Sequence, residues 1–189
     1  MGPRPVTALI ATLLMLAGVP ARSNPPTLVL LVRHAEKGAE PADDPALSAA
    51  GVARAQALAA ALRDAQVTAV ITTQLRRTRD TASPLATGRG LTPEVVPIAH
   101  DAVAAHVDAA VAAIRRHPGA VVLVVGHSNT IPAIIAGLGG PHLPEICDSA
   151  YSNLFILQLG GGEPRLVQAH YGLSDPPPGP DCKMMERPR

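Results

Sequence analysis

Leu28-Val29-Leu30-Leu31-Val32-Arg33-His34-Ala35-Glu36-Lys37 sets five apolar residues directly against charge. A run of this kind, partly β-branched and without polar alternation, reads as a strand buried on both faces. Its C-terminal end delivers Arg33 and His34 to the edge where strands of an open α/β sheet hand over to loops and ligands bind. A single Arg-His pair carries little weight, because two adjacent polar residues usually mean a solvated surface.

Two further stretches repeat the pattern. The run Ala120 to Val125 releases Gly126-His127-Ser128, and Ala69-Val70-Ile71 leads into Thr72-Thr73-Gln74-Leu75-Arg76-Arg77-Thr78-Arg79-Asp80-Thr81-Ala82. Three strand ends therefore each supply a cationic or imidazole group. In this combination the chain resembles the histidine phosphatase superfamily, with its phosphoglycerate-mutase-like fold. Arg33-His34 is similar to the family's signature after the first strand, and Asp44-Pro45-Ala46-Leu47-Ser48-Ala49-Ala50-Gly51 to the opening of its first helix. Thr72 to Ala82 is similar to the segment carrying the second phosphate-binding arginine, here Arg77, and Gly126-His127-Ser128 to the second histidine motif. The resemblance runs from Leu28 to Tyr171. Gln74, Thr78 and Asp80 depart from it, standing where the family often has proline, alanine and glutamine.

A length of 189 residues with 47% hydrophobic content suits one domain with a sizeable core. Net charge is +1 and only two of sixteen basic residues are lysines, so there is no basic stripe and no compositional support for nucleic-acid binding. Arg4 precedes an apolar run from Val6 to Val19 and then Ala21-Arg22-Ser23, a small-x-small pattern. That run is about 14 residues, short of the roughly 20 a membrane span needs, and fits a secretory signal over residues 1–23. The expectation is export, periplasmic or secreted, with no stable membrane insertion once the signal is removed. Residues 24–174 then form the domain, and 175–189, opening on Asp175-Pro176-Pro177-Pro178-Gly179-Pro180, an irregular tail.

Between signal and tail, strand and helix alternate. Ser48 is suited to cap a helix running to about Asp64, followed by a strand Ala69–Thr72, a helix Arg76–Ala86 and an edge strand Glu94–Ile98 flanked by prolines. Asp101 can cap a helix carrying Val103, Val107, Ala110, Val111 and Ile114 on one stripe. Ala120–Val125 is the central strand, Thr130–Leu138 a short helix, and Asn153–Leu159 with Arg165–Tyr171 a closing hairpin across three glycines. Together these predict a three-layer α/β/α domain with a mostly parallel central sheet.

The resemblance implies a phosphohydrolase with a phosphorylated small-molecule substrate and no metal or other cofactor. Arginine suits a phosphoryl dianion because its planar guanidinium donates two parallel hydrogen bonds and stays charged. His34 would take the phosphoryl group as a phosphohistidine that water hydrolyses, while Arg33, Arg77 and His127 bind substrate and stabilise charge on its oxygens. The resemblance also places a general acid at Asp101, with Glu36 as its rival; Glu94 can point to solvent. His100, next to Asp101, can line the pocket, His106 and His117 read as solvated helix residues, and His142 and His170 belong to no motif.

Two other classes fit parts of the chain. Strand, Gly-His-Ser and helix is also how a serine esterase presents its nucleophile, and Ser128, Asp148 and His170 occur in that triad order. Thr130 stands where that tight turn has glycine, and this reading leaves Arg33, His34 and Arg77 unexplained. A non-catalytic phosphate-binding module would not need histidine at position 34. Cys147 and Cys182 are too few for a disulfide scaffold or a zinc site; they either form one bridge closing about 35 residues or stay as free thiols.

Overall fold

The computed structural model describes residues 25–177 except 100, together with 2, 179 and 182. The expected signal and its cleavage point therefore lie outside the described residues, as does His100. Within them the chain runs β1 (Thr27–Arg33), α1 (Ala49–Ala61), β2 (Ala69–Thr72), α2 (Arg76–Gly88), β3 (Glu94–Val95), α3 (Val103–Arg115), β4 (Val121–Gly126), α4 (Thr130–Gly137), β5 (Asn153–Leu159) and β6 (Arg165–His170). No described helix is long and apolar enough to cross a membrane.

The strands form one sheet in the order β3-β2-β4-β1-β5-β6. From β3 to β1 the pairing is parallel, and the β5-β6 hairpin adds two antiparallel strands beyond β1. This is the mixed, mostly parallel α/β sheet that the alternation predicts. The uninterrupted apolar run of β1 follows from its central place. Val29 and Leu31 enter one core with Val122, Val124 and residues of α3 and α4. Leu30 and Val32 enter the other, with Leu123, Val125 and residues of α1 and α2. Each fully buried Leu or Val side chain there contributes about 1.5–3 kcal/mol of transfer free energy. With a single phenylalanine in the whole chain, Phe155, both cores are built almost entirely of aliphatic residues.

Ser48 caps α1 as expected, its hydroxyl accepting from the Gly51 amide at 3.2 Å. Gly51 also lets the helix lie directly on the chain after β1, because a Cβ there would come within 2.0 Å of the Glu36 carbonyl oxygen. Several boundaries differ from expectation. Helix α1 ends at Ala61, three residues before Asp64, and β3 keeps only two residues because Pro97 interrupts its pairing. The cap position of α3 is Ala102 with no side-chain bond, so Asp101 is not the cap; it stands exposed in the preceding turn. His106 is a further correction: it is buried, with Nδ1 3.0 Å from the Pro97 carbonyl.

One polar network fastens the end of the chain to its start. Arg54, buried on α1, grips Glu36 with Nε 2.9 Å from both carboxylate oxygens and donates to the carbonyls of Tyr171 and Leu173. Burial opposes the Arg54 charge, but the bonds to Glu36 more than offset it and raise its pKa. Asp175 accepts from the amides of Tyr151 and Ser152 and from the Ser152 hydroxyl at 2.6 Å. The expected tail thus has no regular element at 175–177, but its first residue is tied into the domain. Cys147 and Cys182 form a disulfide, which resolves the alternative between a bridge and free thiols.

Candidate active site

The C-terminal ends of β1 and β4 lie side by side, with Arg33 in register with Gly126, so His34 and His127 leave the sheet together. Their rings meet edge to face at 5.4 Å between centroids. Both are buried, at 5% and 8% exposure. Helix α2 secures the first of them: the Ala35 amide donates to Thr81 Oγ1 at 2.9 Å, and Thr81 donates to the Arg77 carbonyl. The second is held by α4, whose Thr130 hydroxyl accepts from the His127 amide at 2.9 Å. Gly126 permits that turn, since a Cβ would meet Ile131 and Thr130 below 3.0 Å.

Hydrogen bonds set the tautomers. His34 Nδ1 lies 2.8 Å from the Ala35 carbonyl, which can only accept, so the ring hydrogen sits on Nδ1 and Nε2 keeps its lone pair. Thr78 Oγ1 donates to the Leu75 carbonyl and therefore receives from Thr73, whose own oxygen is left to accept from His127 Nε2 at 3.3 Å. His127 Nδ1 has no partner among the described residues.

Burial pushes the His34 pKa down to about 4, with the charges of Arg33, Arg77 and Lys37 adding to the effect against the favourable Ala35 carbonyl. For His127 burial comes first again, then His34 and Arg77, and the value falls to about 3. Both rings are thus neutral at ordinary pH. In the unfolded chain each would titrate near 6.5, so between that pH and about 4 the unfolded state binds more protons than the folded one. Stability is therefore expected to be highest above pH 6.5 and to fall as pH drops through this window. Thermal unfolding across pH 4–7 tests this, with NMR titration as the site-specific check: an imidazole at position 34 or 127 titrating near 6.5 in the folded protein would refute it.

Arg33, next to His34 at the end of β1, has its side chain 7% exposed. Its Nη1 donates to the carbonyls of Cys147, Asp148 and Ala150 at 2.8, 2.9 and 3.3 Å, and its plane stacks 4.3 Å from the Tyr151 ring centroid. Among the described residues Nη2 meets only the Asp148 carboxylate, at 3.3 Å, and Nε has no partner. Arg77, in the first turn of α2, has no side-chain hydrogen bond or ion pair among the described residues. Burial lowers its pKa, Asp44 opposing this and Arg33 adding to it. Asp44, from the sequence motif, also accepts from the Arg76 amide at 2.8 Å and so steadies the start of α2.

The structure thus brings together Arg33, His34, Arg77 and His127. The two carboxylates fall differently. Glu36 is committed to Arg54, whereas Asp101 is exposed with no hydrogen bond among the described residues, in a segment tethered to the β2–α2 loop by the Gln74 side chain, which bonds both the carbonyl and the amide of Ile98. Glu94 pairs with Arg116 and His117. The esterase triad does not assemble: Asp148 bonds Arg33, and His170 Nδ1 lies 3.0 Å from Ser152, not Ser128. Tyr151, whose ring centroid is 6.4 Å from that of His34, belongs to no sequence motif and reaches the site only through the fold. Among the described residues no cluster of His, Cys, Asp and Glu is arranged to hold a metal ion.

Residues 29–102 match the model of the histidine phosphatase superfamily (branch 1). No curated protein matches the chain. Among solved structures it is similar to an Escherichia coli K-12 protein suggested to be an alpha-ribazole-5'-P phosphatase, with 18% identity, a TM-score of 0.58, and 76% of this chain and 96% of that one covered. A Bacillus stearothermophilus protein, YhfR, aligns at 19% identity and TM-score 0.55, covering 74% and 95%. The protein histidine phosphatase SixA, solved with tungstate, aligns at 18% identity and TM-score 0.56, covering 76% and 96%. At these identities the likeness speaks to the fold.

Proposed function

We propose that this chain, whose residues 29–102 match the histidine phosphatase superfamily model and whose fold is similar to that of a suggested phosphatase, hydrolyses phosphate monoesters through a phosphohistidine on His34. The observation that carries this reading is the state of the His34 ring. It is neutral and buried, its Nδ1 hydrogen is fixed on Ala35, and its Nε2 lone pair is free beside two arginines.

In the first displacement Nε2 attacks phosphorus in line and the bond to the ester oxygen breaks. That oxygen leaves with a proton, and water then cleaves the phosphorus–nitrogen bond. Arg77 and the unsatisfied edge of Arg33 clamp the equatorial oxygens, where fixed charge stabilises the transition state most. His127 becomes a donor to the phosphoryl group once Nδ1 takes up a proton, which the dianion favours.

Asp101 serves as the proton donor. Glu36, both of whose carboxylate oxygens accept from Arg54 Nε, is turned to that guanidinium instead. Turnover of alkyl and aryl phosphates tests the whole reading. Asp101→Asn is expected to slow alkyl esters about 10²-fold while aryl esters, whose leaving groups need little protonation, stay near wild type. Transfer of this selective effect to Glu36→Gln would exchange the two roles, and failure to turn over any phosphomonoester would overturn the function.

The protein acts after export, with residues 1–23 removed. The Cys147–Cys182 bridge supports this, because such bonds persist in oxidising compartments. A mature N-terminus near Asn24, read by mass spectrometry, is the corresponding observation.

A further inference from the structure

Arg33 is held by an unusual arrangement. One nitrogen of its guanidinium is shared among three carbonyls of a single four-residue loop, 147–150, while Nε is buried without a partner. The direction in which the fork faces is therefore dictated by where that loop sits. At one end the Ile146 amide bonds to the Ser128 carbonyl, and at the other Tyr151 and Ser152 bond to Asp175. Between these ends the loop is tied to Arg33 by its three carbonyls and the Asp148 carboxylate, and covalently through Cys147, whose carbonyl is the closest of the three to Arg33 and which is bridged to Cys182 across 35 residues with a Cα–Cα distance of 5.4 Å.

We propose that the Cys147–Cys182 disulfide is a positioning pair for Arg33, fixing the 147–150 loop so that the guanidinium is held in one orientation toward the phosphoryl group. The inference rests on the phosphatase reading above and adds redox sensitivity to it. A dithiol reductant opens the bridge by two-electron exchange, leaving two cysteine thiols and an oxidised cyclic dithiol. The loop then gains freedom, the three carbonyls move, and the fork loses its fixed aim. Small misplacements of a clamping group are costly, because the clamp contributes only in a narrow range of geometry.

The experiment measures inhibition by inorganic phosphate, and kcat/KM on an aryl phosphate, for the full-length protein before and after reduction with dithiothreitol, well below its Tm. Reduction is expected to weaken phosphate binding about tenfold with a parallel loss in kcat/KM, while near-UV circular dichroism still reports a folded core. Cys147→Ser with Cys182→Ser should match the reduced protein and ignore the reductant. In an Arg33→Lys background reduction should change phosphate binding no further, because an ammonium has no planar fork to be aimed by three carbonyls. A merely structural disulfide would weaken both backgrounds alike, and that result overturns the inference. So does an active enzyme indifferent to reduction, with the phosphatase reading left standing. Oxidised protein that neither binds phosphate nor turns over a phosphomonoester fails the phosphatase reading itself, and the inference with it.

Discussion

His34→Ala is expected to remove phosphatase turnover by a factor of about 10⁵ or more, the scale lost when a nucleophile is deleted from a preorganised site. The structure provides no replacement. The neighbouring imidazole, His127, is already committed through Nε2 to Thr73, and its tautomer is set by the Thr73–Thr78 pair. Ser128→Ala, by contrast, should leave activity near wild type, because Ser128 bonds neither Asp148 nor His170. Rapid quench with labelled substrate gives a second readout: wild type should yield an adduct that is lost in acid and survives base, and His34→Ala none. Phosphatase activity that persists in His34→Ala and vanishes in Ser128→Ala would reverse the assignment.

The second large effect separates the two arginines. Arg77→Ala should lower kcat/KM by about 10²–10³-fold, equivalent to about 3–4 kcal/mol, since on the proposed mechanism it deletes a charged clamp on the transferring oxygens. Its Tm should hardly change, because Arg77 bonds no other described residue. Arg33→Ala should lose comparable activity and stability as well, because a buried guanidinium that donates to three carbonyls is removed, each such bond contributing about 0.5–1.5 kcal/mol net. Lysine should restore Arg77→Ala only in part, having charge without the fork. Equal Tm values for Arg33→Ala and Arg77→Ala, measured by calorimetry, would contradict this division.

What the sequence makes legible follows from physics that acts locally. A strand buried on both faces writes itself as an unbroken apolar run, and β1 and β4 are read that way with their terminal histidines. Ser48 announces α1 because its hydroxyl satisfies an amide three residues on. The residues missed or misread act across long separations. Arg54 looks like any solvated helix arginine until folding brings Glu36 and the carbonyls of Tyr171 and Leu173 around it. His106 is no more conspicuous in a run of alanines and valines, yet Pro97 supplies it an acceptor and lets it be buried. Asp101 fails as a cap because the helix starts later than the pattern suggests, a one-residue shift that local propensity does not resolve.

The order in which the sheet is threaded bears on how the protein is made. Strand β1 is synthesised first, yet it sits between β4 and β5, so Leu28 must wait for Val121 and Thr27 for Leu159. Until then this strand, apolar on both faces, has neither neighbour. Pairings this distant in sequence close slowly, because a long loop's entropy is lost before any contact compensates for it. Arg33 waits longer still, for a loop that is clasped only when Asp175 and Cys182 have left the ribosome. A nascent chain halted before Cys182 would hold every motif of the site and, on the proposal above, still lack a fixed Arg33.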